Sequence, residues 1–258
     1  MRLVVSLYVW LVWVVGGVVG IPLMVLAIAL LPRRSAYVPM RAIVRLILAA
    51  SGVRVRQRGL EQLDLGRPYV LIANHVNLLD PFLFMAVLPV PCSGVEKEQN
   101  FRIPFYGWLI RRWGNVPLDR TNPRAARESL KRCAALLQRE QLWMLLTPEG
   151  TRTRDGTIAP FKKGVFHVPL DAGVAVVPVT LNGAFEVQAR GSFWARPGVV
   201  ELVFAAPVDP AAYGNARLGA LANDVREIIL ASFTGPREVE AAAAEEPSAA
   251  AADQIAGT

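Results

Sequence analysis

The chain has 258 residues, of which 53% are hydrophobic, with a mean hydropathy of +0.34, a formal charge of +7 and a pI near 9.9. That length allows one sizeable core with appendages, while hydrophobicity this high excludes a chain wetted throughout and points to a segment buried in lipid. Two isolated cysteines, Cys92 and Cys133, exclude a disulfide scaffold and a cysteine-built metal site, and fit buried free thiols in a reducing compartment.

The apolar excess lies at the N-terminus, where Leu3 to Leu31 carries no charged side chain. As one helix it would extend roughly 44 Å, more than the hydrocarbon core of about 30 Å, and it is too long for the apolar core of a secretory signal. Two anchored arrangements stay open: a spanning helix, or a re-entrant one broken around Gly16, Gly17, Gly20 and Pro22. Arg33, Arg34, Arg41 and Arg45 follow the run and Arg2 alone precedes it, which places the rest of the chain on the cytoplasmic side. Residues 36–51 follow as an amphipathic helix with Val38, Ile43, Leu46, Ile47 and Ala50 on one side and Arg41 and Arg45 nearer the other. Residues 1–50 thus form an anchor plus a basic helix suited to headgroups, and the basic balance is assigned to anionic lipid rather than nucleic acid.

From Val53 the pattern changes. Val53–Arg56 alternates as an edge strand does, and Tyr69–Ala73 is a continuous apolar run like a buried strand. A helix is predicted at Pro81–Val87, a strand at Cys92–Val95, a helix at Pro104–Trp113 and a strand at Asn115–Leu118. Asn122 as N-cap with Pro123 at the first helical position opens a helix reaching Glu140. Strands at Leu142–Leu146, Val174–Leu181 and Val199–Phe204 alternate with helices at Lys163–Ala172, closed by Gly173, and Leu218–Phe233. This alternation predicts an α/β domain over residues 51–236, a mostly parallel sheet flanked by helices. Residues 237–258, rich in Ala and Glu without an apolar face, are expected to be disordered.

Chemistry concentrates where the apolar run ends, in Asn74-His75-Val76-Asn77-Leu78-Leu79-Asp80-Pro81. Five positions apart on a helix, His75 and Asp80 would point about 140° away from each other. They meet only if the chain leaves a strand at Asn74 and opens a helix at Asp80-Pro81. Asp80 is then expected to cap that helix with one oxygen and hold the imidazole with the other. A histidine so oriented has its tautomer fixed and serves as a general base toward an alcohol. No serine or cysteine sits in a G-x-S-x-G elbow, so the attacking group is the substrate's own hydroxyl; no third ligand sits at metal-binding spacing. Two further turns follow predicted strands, Gly114 to Arg120 and Leu146 to Arg152, with Arg154, Lys162 and Lys163 close behind; such guanidinium-bearing turns suit phosphate. The second histidine, His167, sits among Val165, Phe166 and Val168 and reads as a packing residue.

In their order and spacing, Asn74-His75-(four residues)-Asp80, Gly114 to Arg120, Glu149-Gly150-Thr151-Arg152 with Phe161-Lys162-Lys163-Gly164, and Val177-Pro178-Val179 resemble the four blocks of the glycerolipid acyltransferases, most closely the bacterial 1-acylglycerol-3-phosphate acyltransferases. The resemblance runs from about residue 50 to residue 210. It implies transfer of an acyl chain from coenzyme A or acyl carrier protein to lysophosphatidic acid at a membrane, giving phosphatidic acid, with no resident cofactor or metal. On that pattern His75 is the base and Asp80 its partner, while Glu149, Gly150, Thr151, Arg152 and Arg120 bind the acceptor and Lys97 contacts its phosphate. Gln99-Asn100 and Thr147 depart from the family pattern, which bears on acyl or acceptor preference. The implied location is the inner membrane with the catalytic domain in the cytoplasm; glycerol 3-phosphate, a lyso-ornithine lipid or a lysophospholipid remain alternative acceptors, and a non-catalytic lipid-binding protein is the alternative from another class.

Overall fold

Runs such as Val70-Leu71-Ile72-Ala73 have no polar side and are stable only as strands flanked by other strands, with helices over both faces. In the computed structural model, which describes residues 1–119 and 121–235, that is their position. The chain forms α1 (Arg2–Leu30), α2 (Arg33–Ala50), β1 (Val53–Arg58), β2 (Val70–Ala73), α3 (Asp80–Val87), β3 (Cys92–Lys97), α4 (Tyr106–Trp113), β4 (Val116–Leu118) and α5 (Pro123–Glu140). It continues through β5 (Trp143–Leu146), α6 (His167–Ala172), β6 (Val176–Asn182), α7 (Ala184–Val187), β7 (Gly198–Phe204) and α8 (Leu218–Ala231).

The strands make one sheet in the order β1-β7-β6-β2-β5-β3-β4. Strands β6, β2, β5, β3 and β4 are parallel to their neighbours, whereas β7 is antiparallel to β6 and carries β1 parallel to itself. The sheet is therefore mostly parallel, and the C-terminal ends of its five parallel strands share one end with the segments that enter β7 and β1. Helices α1 to α4 cover one face, burying Met24, Tyr37, Leu83, Phe84, Leu109 and Trp113 in one cluster. Helices α5, α6 and α8 cover the other through Cys133, Leu137, Val168, Leu221 and Val225. Four fully buried residues make β2 the centre, and β1 is the cationic edge, with Arg54, Arg56 and Arg58 exposed.

Local chemistry sets most boundaries. The Asn122 side chain accepts from the Arg124 and Ala125 amides at 3.1 and 3.2 Å, capping α5 as expected. The helix predicted at Lys163–Ala172 is split: Lys163–Phe166 is a 3-10 turn and only His167–Ala172 is α-helical. His167 is exposed at the start of α6, so it does not pack. The expected tail at 237–258 lies outside the described residues.

The glycines of α1 do not break it, and Pro22 lies inside the continuous helix. A Cβ on Gly16 would approach Ile47 Cγ1 to 2.8 Å and one on Gly20 would approach Ile43 Cγ2 to 3.1 Å. Four residues apart, both glycines face α2 and allow the two helices to pack closely. The chain reverses instead at Leu31-Pro32, where Leu31 is extended at φ −120° and ψ 151°. Both ends of α1 then rest on the same domain. Near its start, Ser6 Oγ donates to the Ala195 carbonyl at 3.0 Å and Trp10 Nε1 to the Phe193 carbonyl at 2.7 Å; near its end, Met24 and Ile28 are buried with α2 and α4. Its outer side exposes Val4, Leu7, Leu11, Val14 and Val18.

Replacing Gly16 with leucine should push α1 off α2 and destabilise the fold by about 1–3 kcal/mol. Thermal unfolding together with limited proteolysis between residues 31 and 33 would detect it; an unchanged melting curve would contradict the close-packing role.

Candidate active site

The site is assembled where β2 ends. Asn74 fastens the strand's exit to β6, its Nδ2 donating to the Leu181 carbonyl at 3.1 Å and its Oδ1 accepting from the Leu181 amide at 2.8 Å. The next residue, His75, is gripped through its main chain by the segment leaving β5: its N–H donates to Glu149 Oε1 at 2.7 Å, and its carbonyl accepts from the Thr153 N–H at 2.9 Å. Its imidazole Nδ1 lies 2.7 Å from Asp80 Oδ2. Facing an ionised carboxylate, which only accepts, Nδ1 carries the proton, and in the neutral imidazole the lone pair then sits on Nε2. The His75 side chain is 18% exposed against 2% for Asp80, so the base reaches solvent and its partner does not.

Asp80 differs from its expected role as helix cap. It is the first residue of α3, and its oxygens turn back to the loop, accepting from Val76 N–H at 2.8 Å and Asn77 N–H at 3.2 Å as well as from the imidazole. Neither oxygen makes a capping bond to the helix's own amides. Pro81 has no N–H to satisfy, and Asn77 Oδ1 accepts from Leu79 N–H at 2.8 Å. The loop from His75 to Asp80 is thus closed on one buried carboxylate.

Glu149 departs further from expectation. It is 5% exposed, and while Oε1 holds the His75 amide, Oε2 accepts from Ala159 N–H at 3.0 Å. Burial pushes its pKa above the ordinary carboxyl value, against the pull of those two amides. The carboxylate faces the protein, with one oxygen on the His75 amide and the other on the Ala159 amide. Beside it Gly150, at φ +75°, provides a turn that a side chain would strain, and a Cβ there would lie 2.6 Å from Lys162 Nζ. Thr151 is exposed, and its Oγ1 accepts from Arg190 Nη1 at 2.8 Å. The same nitrogen donates to the Arg152 carbonyl at 2.8 Å, which holds the Arg152 backbone while its half-buried guanidinium joins no ion pair among the described residues. Lys97 is exposed at the C-terminal end of β3. Arg120 lies outside the described residues.

The pairing of β2 with β5 and of β5 with β3 brings His75, the 149–152 turn and Lys97 to one sheet end in that order, about 10 Å across two strand spacings. Two clefts lie elsewhere, one of about 930 Å³ bounded by Arg41, Arg45, Arg54 and Val199, the other of about 630 Å³ beside Pro32, Tyr37 and Trp143. His75 lines neither of them, and its side chain is 18% exposed. Three positioning residues carried no readable role in the sequence: Asn74, Asn77 and Arg190. Asn77, fully buried, donates from Nδ2 to the Ala184 and Gln188 carbonyls at 2.8 and 3.0 Å. Its place inside the histidine loop was a signal; Arg190, 38 positions from Arg152, gave none.

A family model described as acyltransferase matches residues 54–182, half of the chain. That span runs from β1 to the end of β6 and encloses His75, Asp80 and the 149–152 turn. The chain belongs to the acyltransferase family. Among acyltransferases of known name, a 1-acyl-sn-glycerol-3-phosphate acyltransferase of Limnanthes douglasii is 30% identical over 164 residues, 64% of this chain and 58% of that protein. The chloroplastic enzyme LPAT1 of Arabidopsis thaliana, of the same name, is 39% identical over 140 residues, 54% of this chain and 39% of that one. The chain thus spans little more than half the length of the curated relatives it matches. Among solved structures, the 1-acyl-sn-glycerophosphate acyltransferase PlsC of Thermotoga maritima superposes with a TM-score of 0.73 at 26% identity, covering 88% of this chain and 92% of that one.

In this acyltransferase, Asp80→Asn should lower kcat by about 10²-fold or more through loss of the imidazole's orientation. It should also lower stability by about 1–3 kcal/mol, because a carboxamide NH₂ would face the buried loop amides; steady-state kinetics with thermal unfolding reads both, and a fully stable variant would contradict the loop-closing role. Glu149→Gln should lower kcat with little change in acceptor KM, because its amide nitrogen must face one of two N–H donors; a rise in KM alone would return Glu149 to the acceptor.

Proposed function

We propose that this acyltransferase moves an acyl group from a thioester of coenzyme A or acyl carrier protein to the free hydroxyl of 1-acylglycerol 3-phosphate, giving phosphatidic acid. The observation that carries the reading is the 2.7 Å contact of His75 Nδ1 with Asp80, on a loop whose backbone is bonded to the turn bearing Arg152. His75 Nε2 takes the hydroxyl proton as the oxygen attacks the thioester carbonyl. The C–S bond breaks on collapse of the tetrahedral species, and the leaving thiolate takes the proton from the imidazolium. Arg152, Lys97 and Arg120 hold the phosphate, with Gly150 and Thr151 shaping the turn, and keep the hydroxyl against the base. The route needs no metal or resident cofactor. The names of the plant relatives and of the Thermotoga structure support the choice of acceptor.

The enzyme works, on this reading, at the cytoplasmic face of the inner membrane, with α1 lying in one leaflet. About 27 Å of helix separates Trp10 from Ile28, comparable to the hydrocarbon thickness, yet both ends bear on the catalytic domain. For α1 to span while docked, the 192–196 segment of the α/β domain, which ends in Arg196, would have to reach the far side of the bilayer. Arg33, Arg34, Arg41 and Arg45 support the cytoplasmic assignment.

Membranes containing the enzyme should acylate 1-acylglycerol 3-phosphate in preference to glycerol 3-phosphate, a lyso-ornithine lipid and lysophosphatidylcholine, when assayed as a panel with labelled donor. His75→Ala should abolish the product, and Arg152→Ala should raise acceptor KM about tenfold or more while sparing donor KM. Preference for a phosphate-free acceptor would overturn the assignment, and an Arg152 effect confined to the donor would overturn its role.

A further inference from the structure

The connection from β3 to α4 forces an aromatic side chain into solvent. Phe105 has φ +61° and ψ −53°, near a γ-turn conformation that bulky residues rarely adopt, and the turn is closed by Tyr106 N–H donating to the Pro104 carbonyl at 2.6 Å. Its side chain is 75% exposed, flanked by Ile103 at 48% and Trp108 at 44%. The turn is held from several sides. Gly107 N–H donates to the Ile103 carbonyl at 2.7 Å, and a Cβ on Gly107 would collide with the Phe101 carbonyl. Glu96 ties both flanks, accepting from Asn100 Nδ2 at 2.9 Å and from the Tyr106 hydroxyl at 3.3 Å. A backbone strained this firmly, with the gain of burying a phenylalanine forgone, is characteristic of a site that meets something else.

The surroundings identify what it meets. Helix α4 packs inward through Leu109 and Trp113, in the same cluster as residues of α1 to α3, and leaves Trp108 exposed beside them. Leu78 and Phe82, from the histidine loop and the first turn of α3, extend the exposed apolar surface at the catalytic end. Arg102, Arg111 and Arg112 are exposed; Arg102 lies 3.6 Å from Glu98 in a solvent-exposed pair, and residues 101–113 themselves contain no acidic side chain. One 3-10 helix, Glu98–Arg102, separates Lys97 from the turn. Apolar and aromatic tips flanked by arginines match a leaflet carrying acidic headgroups.

We propose that the Phe105 turn is a second membrane-insertion element: Ile103, Phe105 and Trp108 enter the leaflet in which α1 lies, with Arg102 and Arg111 at the headgroup phosphates. This rests on the one-leaflet placement of α1. It brings the lipid surface to Lys97, so that an amphiphilic acceptor reaches the sheet end while its acyl chain stays in the leaflet.

The test uses the full-length enzyme reconstituted into vesicles of phosphatidylglycerol and phosphatidylcholine, with an environment-sensitive fluorophore on Phe105→Cys and, separately, on Val18→Cys in the outer face of α1. Burial pushes the Cys92 and Cys133 thiols up to about 12, so neither competes for the label. Chain-brominated lipid should quench both positions. Quenching at Val18 without quenching at Phe105 overturns the proposal, and disulfide capture of a second copy through Phe105→Cys would then assign the patch to self-association. Quenching at neither overturns the one-leaflet placement together with the proposal. Phe105→Gly distinguishes lipid contact from a structural role, because glycine adopts positive φ without strain: its melting temperature should hold or rise while its vesicle partition coefficient falls about tenfold. An unchanged partition coefficient would sink the proposal.

Discussion

A carboxylate sealed from water is tolerated only when its oxygens are saturated by donors, and the catalytic end of this protein is built around two that are. Asp80, 2% exposed, collects the imidazole N–H and two loop amides. The loop's conformation and the base's tautomer therefore have one cause, and neither changes without the other. Glu149 repeats the device on the main chain, joining the His75 and Ala159 amides across the exits of neighbouring strands. The ring of His75 is oriented by one acid and its backbone by another, so neither is loose.

The segment from Ala184 to Ala195 ties this end together. Its carbonyls receive Asn77 from the histidine loop, Arg190 reaches the turn carrying Arg152, and Phe193 and Ala195 receive Trp10 and Ser6 of α1. The reason is topological. Strand β6 ends at the catalytic end and β7 returns antiparallel from that same end, so the connection must lie across it. The apolar helix and both halves of the site thereby share one stretch of backbone, which sets the site at a defined position relative to α1.

Much of this was legible in the residues. The strands, their alternation with helices, the Asn122 cap and the adjacency of His75 and Asp80 all rest on spacing and side-chain chemistry within a few positions, where local rules hold. The cap role of Asp80 misled because its carboxylate has two oxygens and three donors compete for them; the winning donors are seen only once the loop is folded. Glu149 misled for a related cause, since a carboxylate in a turn next to an arginine looks like part of a ligand site until both its oxygens prove to be turned inward. The glycines of α1 carried two meanings, break or close packing, and only the presence of α2 against them selects the second.

The sequence by itself determined the α/β class, the apolar helix, the pairing of His75 with Asp80 and the arginine-bearing turn, because each is written in periodicity or in residues near one another in the chain. Tertiary structure decided the antiparallel return of β7, the docking of both ends of α1, the support given by Asn74, Asn77 and Arg190, and the outward thrust of Phe105. Those depend on which strand lies beside which. Contacts such as Asn77 to Gln188, 111 positions apart, leave no periodic trace in a single sequence.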